Sequence, residues 1–466
     1  MTLFFSSGYI SPVAHRAAQR GKSTMRTARV TDIQAEWEPR LRPGFLPSVK
    51  DRMDRAMGGP ADKADAGTPA RTSRKLLWIE GLLSNASESF VTNFLAPFAL
   101  TFGATNAQIG TLASAGNMAS AFGLLPGARL EERFGRRKRI FMLSTGVFGR
   151  LFLLALVIMP FFFHMSMMFW GLLAVVTARG FLNQLGFPAW STLVTDIVPE
   201  RIRGRYFGSR NIAVGFAGLI CAPLAGYLIK ASGPAGYRVS FLIAAATGGA
   251  ATVVFGLIKE PKKVRTLKKA QKPAPGLVSM FREHRQFAAF TAIGFILHMS
   301  LQVSGPFNAV YQIQMLGANT AHIGVLGAVG ALTGMIGQRV WGVQNDRRSD
   351  VWVLRITHFL IPGTSLAWAI TPSWSYLLPV EAISGFAWAG YWLSNFNLLL
   401  RMAPDEHRSR FVAVYQSAVA VASFVGPVLG GILVGVITLR GLYWISAIGR
   451  LVVSILFALL IKNDRA

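Results

Sequence analysis

The chain is laid out as a dozen apolar stretches, each closed by a short loop that collects the charges. A helix of about 20 apolar residues crosses a hydrocarbon core, so this pattern restricts the chain to a polytopic helical membrane protein. Composition agrees. Of 466 residues, 52% are hydrophobic and 15% charged, with mean hydropathy +0.41, whereas a soluble chain spends about a quarter of its residues on charge.

Spans are expected from Leu76 to near Phe102 and at about 107–127, 139–161, 167–194, 211–229 and 239–258. A second set is expected at about 287–313, 322–343, 353–371, 376–400, 411–437 and 442–461. The basic stretch 259–286 separates six spans from six. The expected organisation is a disordered basic arm over 1–75, a six-helix bundle over 76–258, the central loop, and a second bundle over 287–466. The arm has no apolar run long enough for a signal peptide, and Met25 offers a second start.

A net charge of +27 would suggest nucleic acid in a soluble protein. Here the cations sit in short loops between spans, which excludes that reading and favours contact with the anionic headgroups of a lipid bilayer. One side carries Arg133, Arg136, Arg137, Lys138 and Arg139, then Arg201, Arg203 and Arg205, the central lysines, Arg347 and Arg348, and Arg401, Arg408 and Arg410. The other side shows little beyond Lys230, Arg238 and Arg440. Both termini are therefore expected in the cytoplasm, with the chain multi-pass in the cell membrane. Cys221 is the only cysteine, so no disulfide or zinc site is expected.

The two halves repeat one another. At an offset of 214, Ile109-Gly110 matches Ile323-Gly324, Gly116 matches Gly330, Gly123 matches Gly337 and Arg133 matches Arg347. At an offset of 205, Gly180-Phe181 matches Gly385-Phe386 and Pro199 matches Pro404, with Arg203 and Arg205 matching Arg408 and Arg410. Parallel six-span repeats of this kind are built by transporters that bind solute between the halves.

The loops carry a family resemblance. Glu132-Arg133-Phe134-Gly135-Arg136-Arg137-Lys138 resembles the Gly-x-x-x-Asp-Arg-x-Gly-Arg-Arg motif of the major facilitator superfamily, with Glu132 in the Asp slot and Ala128 in the opening Gly slot. Gly342-x-x-x-Asp346-Arg347 starts the same motif in the second half and departs at Ser349. Asp196-Ile-Val-Pro199-Glu200-Arg-Ile-Arg203-Gly204-Arg205 is similar to that superfamily's loop after the fourth span. The resemblance covers residues 76–462. It implies an all-α fold of twelve spans in two pseudosymmetric six-helix bundles. It also implies a cytoplasmic gate of Glu132, Arg133, Arg136, Asp196, Asp346 and Arg347, in which Arg136 meets Asp196. The plainer alternative is that these charges only set topology.

An ionisable group inside a span costs at least ~2.5 kcal/mol and marks a functional position by default. In the first span Glu80, Ser84, Asn85, Glu88 and Thr92 form one stripe, with Glu88 mid-span and Glu80 near the interface. In the fourth, Arg179, Asn183, Gly186 and Trp190 share a face, and Arg179 resembles a cavity arginine of many facilitators. Glu88 and Arg179 are the expected proton-coupling pair. Arg150 and Arg450 fall on helices that are peripheral in the family fold and read as structural or lipid-facing. The expected substrate cavity comprises Asn85, Thr92, Asn183, His298, Gln302, Asn308, Trp388, Trp392 and Asn395, amides and aromatics that suit a solute with an apolar body and few polar handles. Gly218-x-x-x-Ala222-Pro223-x-x-Gly226 and Gly426-Pro427-x-x-Gly430-Gly431 resemble an antiporter motif, and close helix packing explains them equally well.

These features point to a monomeric secondary transporter of a small organic solute, coupled to protons, with export favoured over uptake. No cofactor is expected. No nucleophile–base or metal-ligand cluster suggests an enzyme. A non-transporting sensor or scaffold would differ in having no central cavity for Glu88 and Arg179 to face.

Overall fold

The computed structural model describes residues 69–260, 276–404 and 407–461. Most of the expected arm and central loop, and Lys462 onward, lie outside the described residues. Twelve long helical segments account for nearly all of what is described, and no strand occurs among them. In chain order they are α1 (Pro69–Ser89, continued by Leu95–Thr101), α2 (Asn106–Phe134), α3 (Arg137–Phe162) and α4 (Met165–Ile197). Then follow α5 (Glu200–Ser232), α6 (Pro234–Gly256), α7 (Arg285–Gln314) and α8 (Thr320–Arg347). The last four are α9 (Asp350–Ile370), α10 (Leu377–Met402), α11 (Arg408–Val434) and α12 (Leu439–Leu460). Eight of them, α3 and α5–α9 with α11 and α12, are long and apolar enough to cross a membrane on that criterion alone. Of the other four, α1, α2 and α4 carry polar faces that line a cavity between them.

The first helix already includes residues 69–75, ahead of the apolar run that begins at Leu76. The added turns are anchored: Arg74 is fully buried, its carbonyl accepts from the Tyr206 hydroxyl (2.7 Å), and Ser73 Oγ accepts from the Lys259 amide (3.3 Å).

Pseudosymmetry reaches the backbone. The first helix of each half is interrupted by a 3-10 turn, at Thr92–Phe94 in α1 and Gly305–Phe307 in α7. Pro306 stands inside the second interruption, and Pro97 follows the first by a few residues. A proline nitrogen cannot donate to the carbonyl four residues back, so both helices loosen there. The second helix of each half opens with a capping box, Thr105 with Gln108 in α2 and Asn319 with His322 in α8. Each box satisfies two amide donors that a helix start leaves unpaired.

Each half has its own apolar core, around Phe94, Phe98, Leu153, Leu172 and Phe241 in the first and Phe287, Phe290, Leu354, Phe411 and Phe457 in the second. Outward side chains such as Phe122, Phe161, Phe162 and Leu459 stay exposed, as lipid-facing residues must. The halves meet where α2 crosses α11 and α5 crosses α8. Glycines make these crossings close: a Cβ on Gly110 would strike the Pro427 backbone, and one on Gly226 the Thr320 backbone. Three hydrogen bonds bind the halves at this end among the described residues. Ser114 Oγ donates to Phe424 O (2.7 Å), Asn117 Nδ2 to Ser423 O (2.8 Å) and Thr320 Oγ1 to Gly226 O (2.9 Å). The Gly-Pro segments of α5 and α11 are thus packing surfaces between the halves. At the opposite end, which carries the basic loops, Gly204 and Gly208 of α5 and Gly342 of α8 look onto open space.

Candidate functional site

A cavity of about 600 Å³ lies against the inner faces of α1, α2 and α4 and reaches Glu80, Phe141, Trp190 and Arg210. A second space of about 370 Å³ runs on from it between the halves, sharing Thr92, Asn93, Leu112 and Val176 and adding Asn308, Gln312, Trp368 and Glu381. A pocket lined by apolar groups with a few placed polar ones is the usual form of a solute site.

Glu88 is the hub of the first cavity. Its Oε1 accepts from Arg179 Nη2 on α4 and from Arg150 Nη1 on α3 (3.3 Å). Arg150 also donates to Ser87 Oγ (3.1 Å) and Ser84 Oγ (3.2 Å), and Ser84 Oγ donates to Glu80 Oε1 (2.8 Å). Glu80 in turn pairs with Arg210 Nη2 of α5 (3.3 Å), whose guanidinium lies over the Trp190 ring. Glu80, Ser84, Ser87 and Glu88 of α1 are therefore joined in one network, satisfied from three other helices. Buried charges survive only when paired and hydrogen-bonded in this way.

Two expectations change here. Arg150 is turned inward with a side chain only 11% exposed, so it does not face lipid. Its helix contains a π-helical turn, Met142–Phe148, just before it. The wider turn shifts the phase of every later residue, whereas the expectation rested only on the helix being peripheral in the family fold. Glu80 is not interfacial; it is 3% exposed and neutralised by Arg210. Arg450 is also interior, 8% exposed, with Nη2 3.5 Å from Ser304 Oγ and no carboxylate within 4 Å among the described residues.

Of the residues expected to form the cavity, Asn85, Thr92 and Asn183 line the first space, and Thr92 and Asn308 the second. Asn85 Nδ2 is held by Val214 O (2.7 Å), and Asn308 Oδ1 accepts from the Tyr443 hydroxyl (2.8 Å). His298, Gln302, Trp388, Trp392 and Asn395 are not among the residues lining either space. They belong to the packing of the second half: His298 Nδ1 bonds Gly294 O (2.8 Å) and its ring meets Trp392, which packs with Trp388 around Tyr391. Asn395 accepts from the Tyr415 hydroxyl (3.1 Å).

At the basic end Glu132, Arg133, Arg136, Asp346 and Arg347 are exposed. The partner of Asp196 is Arg137, not Arg136. Arg136 caps α3, whereas Arg137 sits in its first turn, points inward and also reaches Glu260 (3.4 Å). The second half holds the same link with the charges exchanged: Asp350 at the start of α9 pairs with Arg401 at the end of α10 (2.7 Å) and accepts from Asn397 (3.2 Å). Likewise Glu131 and Asn345, each one residue before the motif acid, are buried and accept from Thr192 (3.1 Å) and Ser394 (2.9 Å). Arg210, Glu131 and the Asp350–Arg401 pair are contributors that sequence reading did not single out. Arg210 stands one residue before the expected fifth span and so read as a loop cation, whereas the helix runs through it from Glu200.

The sequence matches the Major Facilitator Superfamily over residues 77–318 and 290–466. An uncharacterised MFS-type transporter of Methanocaldococcus jannaschii is 21% identical over 417 residues, 83% of this chain and 98% of the relative. A crystal structure of the nucleoside transporter NupG superposes with TM-score 0.68 at 14% identity, covering 83% of this chain and 99% of that one. A bacterial homologue of the iron transporter ferroportin, in an inward-facing state, gives 0.63 at 15% identity over 84% and 99%. The last two likenesses concern the fold. With the match to the family spanning both halves, the chain belongs to the major facilitator superfamily: it is a multi-pass membrane transporter of a solute, not an enzyme.

Proposed function

We propose that the chain is a proton-coupled secondary transporter of a small organic solute, working as a monomer in the cell membrane by alternating access between its halves. One observation carries the reading: Glu88 and Arg179, on α1 and α4, meet at the wall of the central cavity. An ionised Glu88 needs its guanidiniums, whereas a protonated one is neutral and releases them. Switching between those states as the cavity changes sides links proton movement to solute movement. With the basic loops in the cytoplasm, the closed far end and open basic end correspond to an inward-open state. Glu132, Arg133, Arg136, Asp346 and Arg347 then act in the opposite state, clamping the cytoplasmic ends together.

Arg150 supports uptake over the export favoured from sequence. With two cations around one carboxylate, protonation of Glu88 frees positive charge to receive solute, so proton and solute travel together. The test is proton flux measured beside solute flux in reconstituted vesicles, using a solute found by ligand-stabilisation screening. Glu88→Gln should still bind solute but lose gradient-driven accumulation. Full coupling in that variant would overturn the mechanism.

A further inference from the structure

The continuous cavity is electrically two-ended. In the first space Glu80 and Arg210 neutralise each other, while Glu88 faces both Arg150 and Arg179. One positive charge is left over. Both of these arginines also keep a buried Nε without a hydrogen-bond partner. This end lacks an anion.

The second space is the reverse. Glu381 of α10 lines it, and no Lys or Arg nitrogen lies within 4 Å of that carboxylate among the described residues. Beside it, Gln312 of α7 is 6% exposed, and its buried Oε1 has no donor. Asn308 is already committed, because its Oδ1 accepts from Tyr443. A carboxylate and an orphaned carbonyl, next to the Trp368 ring, lack a cation that donates hydrogen bonds. The two ends are neighbours. Thr92 and Asn93 line both spaces, and Thr92 stands only four residues beyond Glu88 on α1.

We infer that the solute is zwitterionic, a small molecule bearing an acidic group and an ammonium. Its carboxylate docks at Arg150 and Arg179, and its ammonium at Glu381 and Gln312. This inference rests on the transporter reading and deepens it by naming the solute's chemistry. Each charged end of such a solute supplies what one end of the cavity lacks. A neutral solute would leave both deficits in place, and a singly charged one would leave one.

A matched panel of probes tests this on the purified full chain. Unbranched ω-amino acids of increasing length are compared with the carboxylic acids and alkylamines of the same length, and binding is read by thermal stabilisation. The ω-amino acids should bind tighter than both analogues by about 30-fold or more at one preferred length, because each analogue leaves a buried charge unpaired. Glu381→Gln should erase the advantage over the acids, and Arg179→Gln the advantage over the amines. Equal binding of a singly charged analogue in the wild-type chain would overturn the inference, and so would absence of binding across the ω-amino acids. If a neutral or singly charged solute proved to be carried with protons, the transporter reading would stand and the zwitterion would fall.

Discussion

Removing the Glu88 charge should expose two guanidiniums to each other. At 3.3 Å and an effective dielectric constant of about 20, the carboxylate attracts Arg150 by about 5 kcal/mol before desolvation is counted. Its side chain is 27% exposed to the cavity, so water screens part of this and desolvation offsets more. Glu88→Gln should therefore destabilise the chain by about 2 kcal/mol, below the 3–5 kcal/mol typical of breaking a fully buried pair. Arg150→Gln alone leaves Glu88 paired with Arg179 and removes one of two mutually repelling cations, so it should cost less than Glu88→Gln, about 1 kcal/mol. The double variant removes the repulsion and should recover at least half of the loss. The assay is a double-mutant cycle read by thermal melting of the purified protein, where about 2 kcal/mol corresponds to roughly 4–8 °C for a half of this size. A coupling energy below about 0.5 kcal/mol would refute the hub, since independent sites add within that margin.

Asp196→Ala should destabilise by about 1–2 kcal/mol and Arg401→Ala by less than about 1, because the first leaves Arg137 at a helix start that repels cations and the second leaves Asp350 at one that favours anions; melting in the reverse order would contradict the dipole argument. Asn395→Ala should lower stability by about 1–3 kcal/mol by removing the acceptor of the buried Tyr415 O–H, and a change in solute affinity with unchanged stability would place it in the cavity instead. In a Cys221→Ser background, cysteines at Lys230 and Arg440 should label from outside intact cells and one at Lys269 should not; labelling at position 269 would reverse the topology.

The fold was readable because a bilayer forces its pattern on sequence: apolar length, loop cations and the 214-residue offset all reappear in the helices and their caps. The Glu88–Arg179 meeting was readable too, since each residue breaks an apolar run mid-span. What could not be read depended on local geometry. Arg150 was read as structural or lipid-facing because its helix is peripheral in the family fold, yet a peripheral helix still turns one face inward, and the π-helical turn before Arg150 sets which residues lie on it. Arg136 was chosen over Arg137 because a motif names residues without saying which one begins the helix. The aromatics of α10 resembled a ligand face, yet Trp388 and Trp392 pack around Tyr391, and nothing in their spacing separates those two uses. Glu381 lies on the same helix and does line the cavity, since α10 turns different faces to its neighbours.

The central claim is that the halves rock about the central cavity, opening one end as the other closes. Gly226→Leu tests it without any solute, because the new side chain would wedge apart α5 and α8 at the far end. Spin labels on cysteines placed at Arg133 and Arg347 report the basic end, and labels at Lys230 and Met315 report the far end, all in Cys221→Ser protein in bilayers. In the wedge variant the Lys230–Met315 distance should lengthen while the Arg133–Arg347 distance shortens. If the basic end stays unchanged or opens further as the far end widens, the two ends are not coupled and alternating access is contradicted.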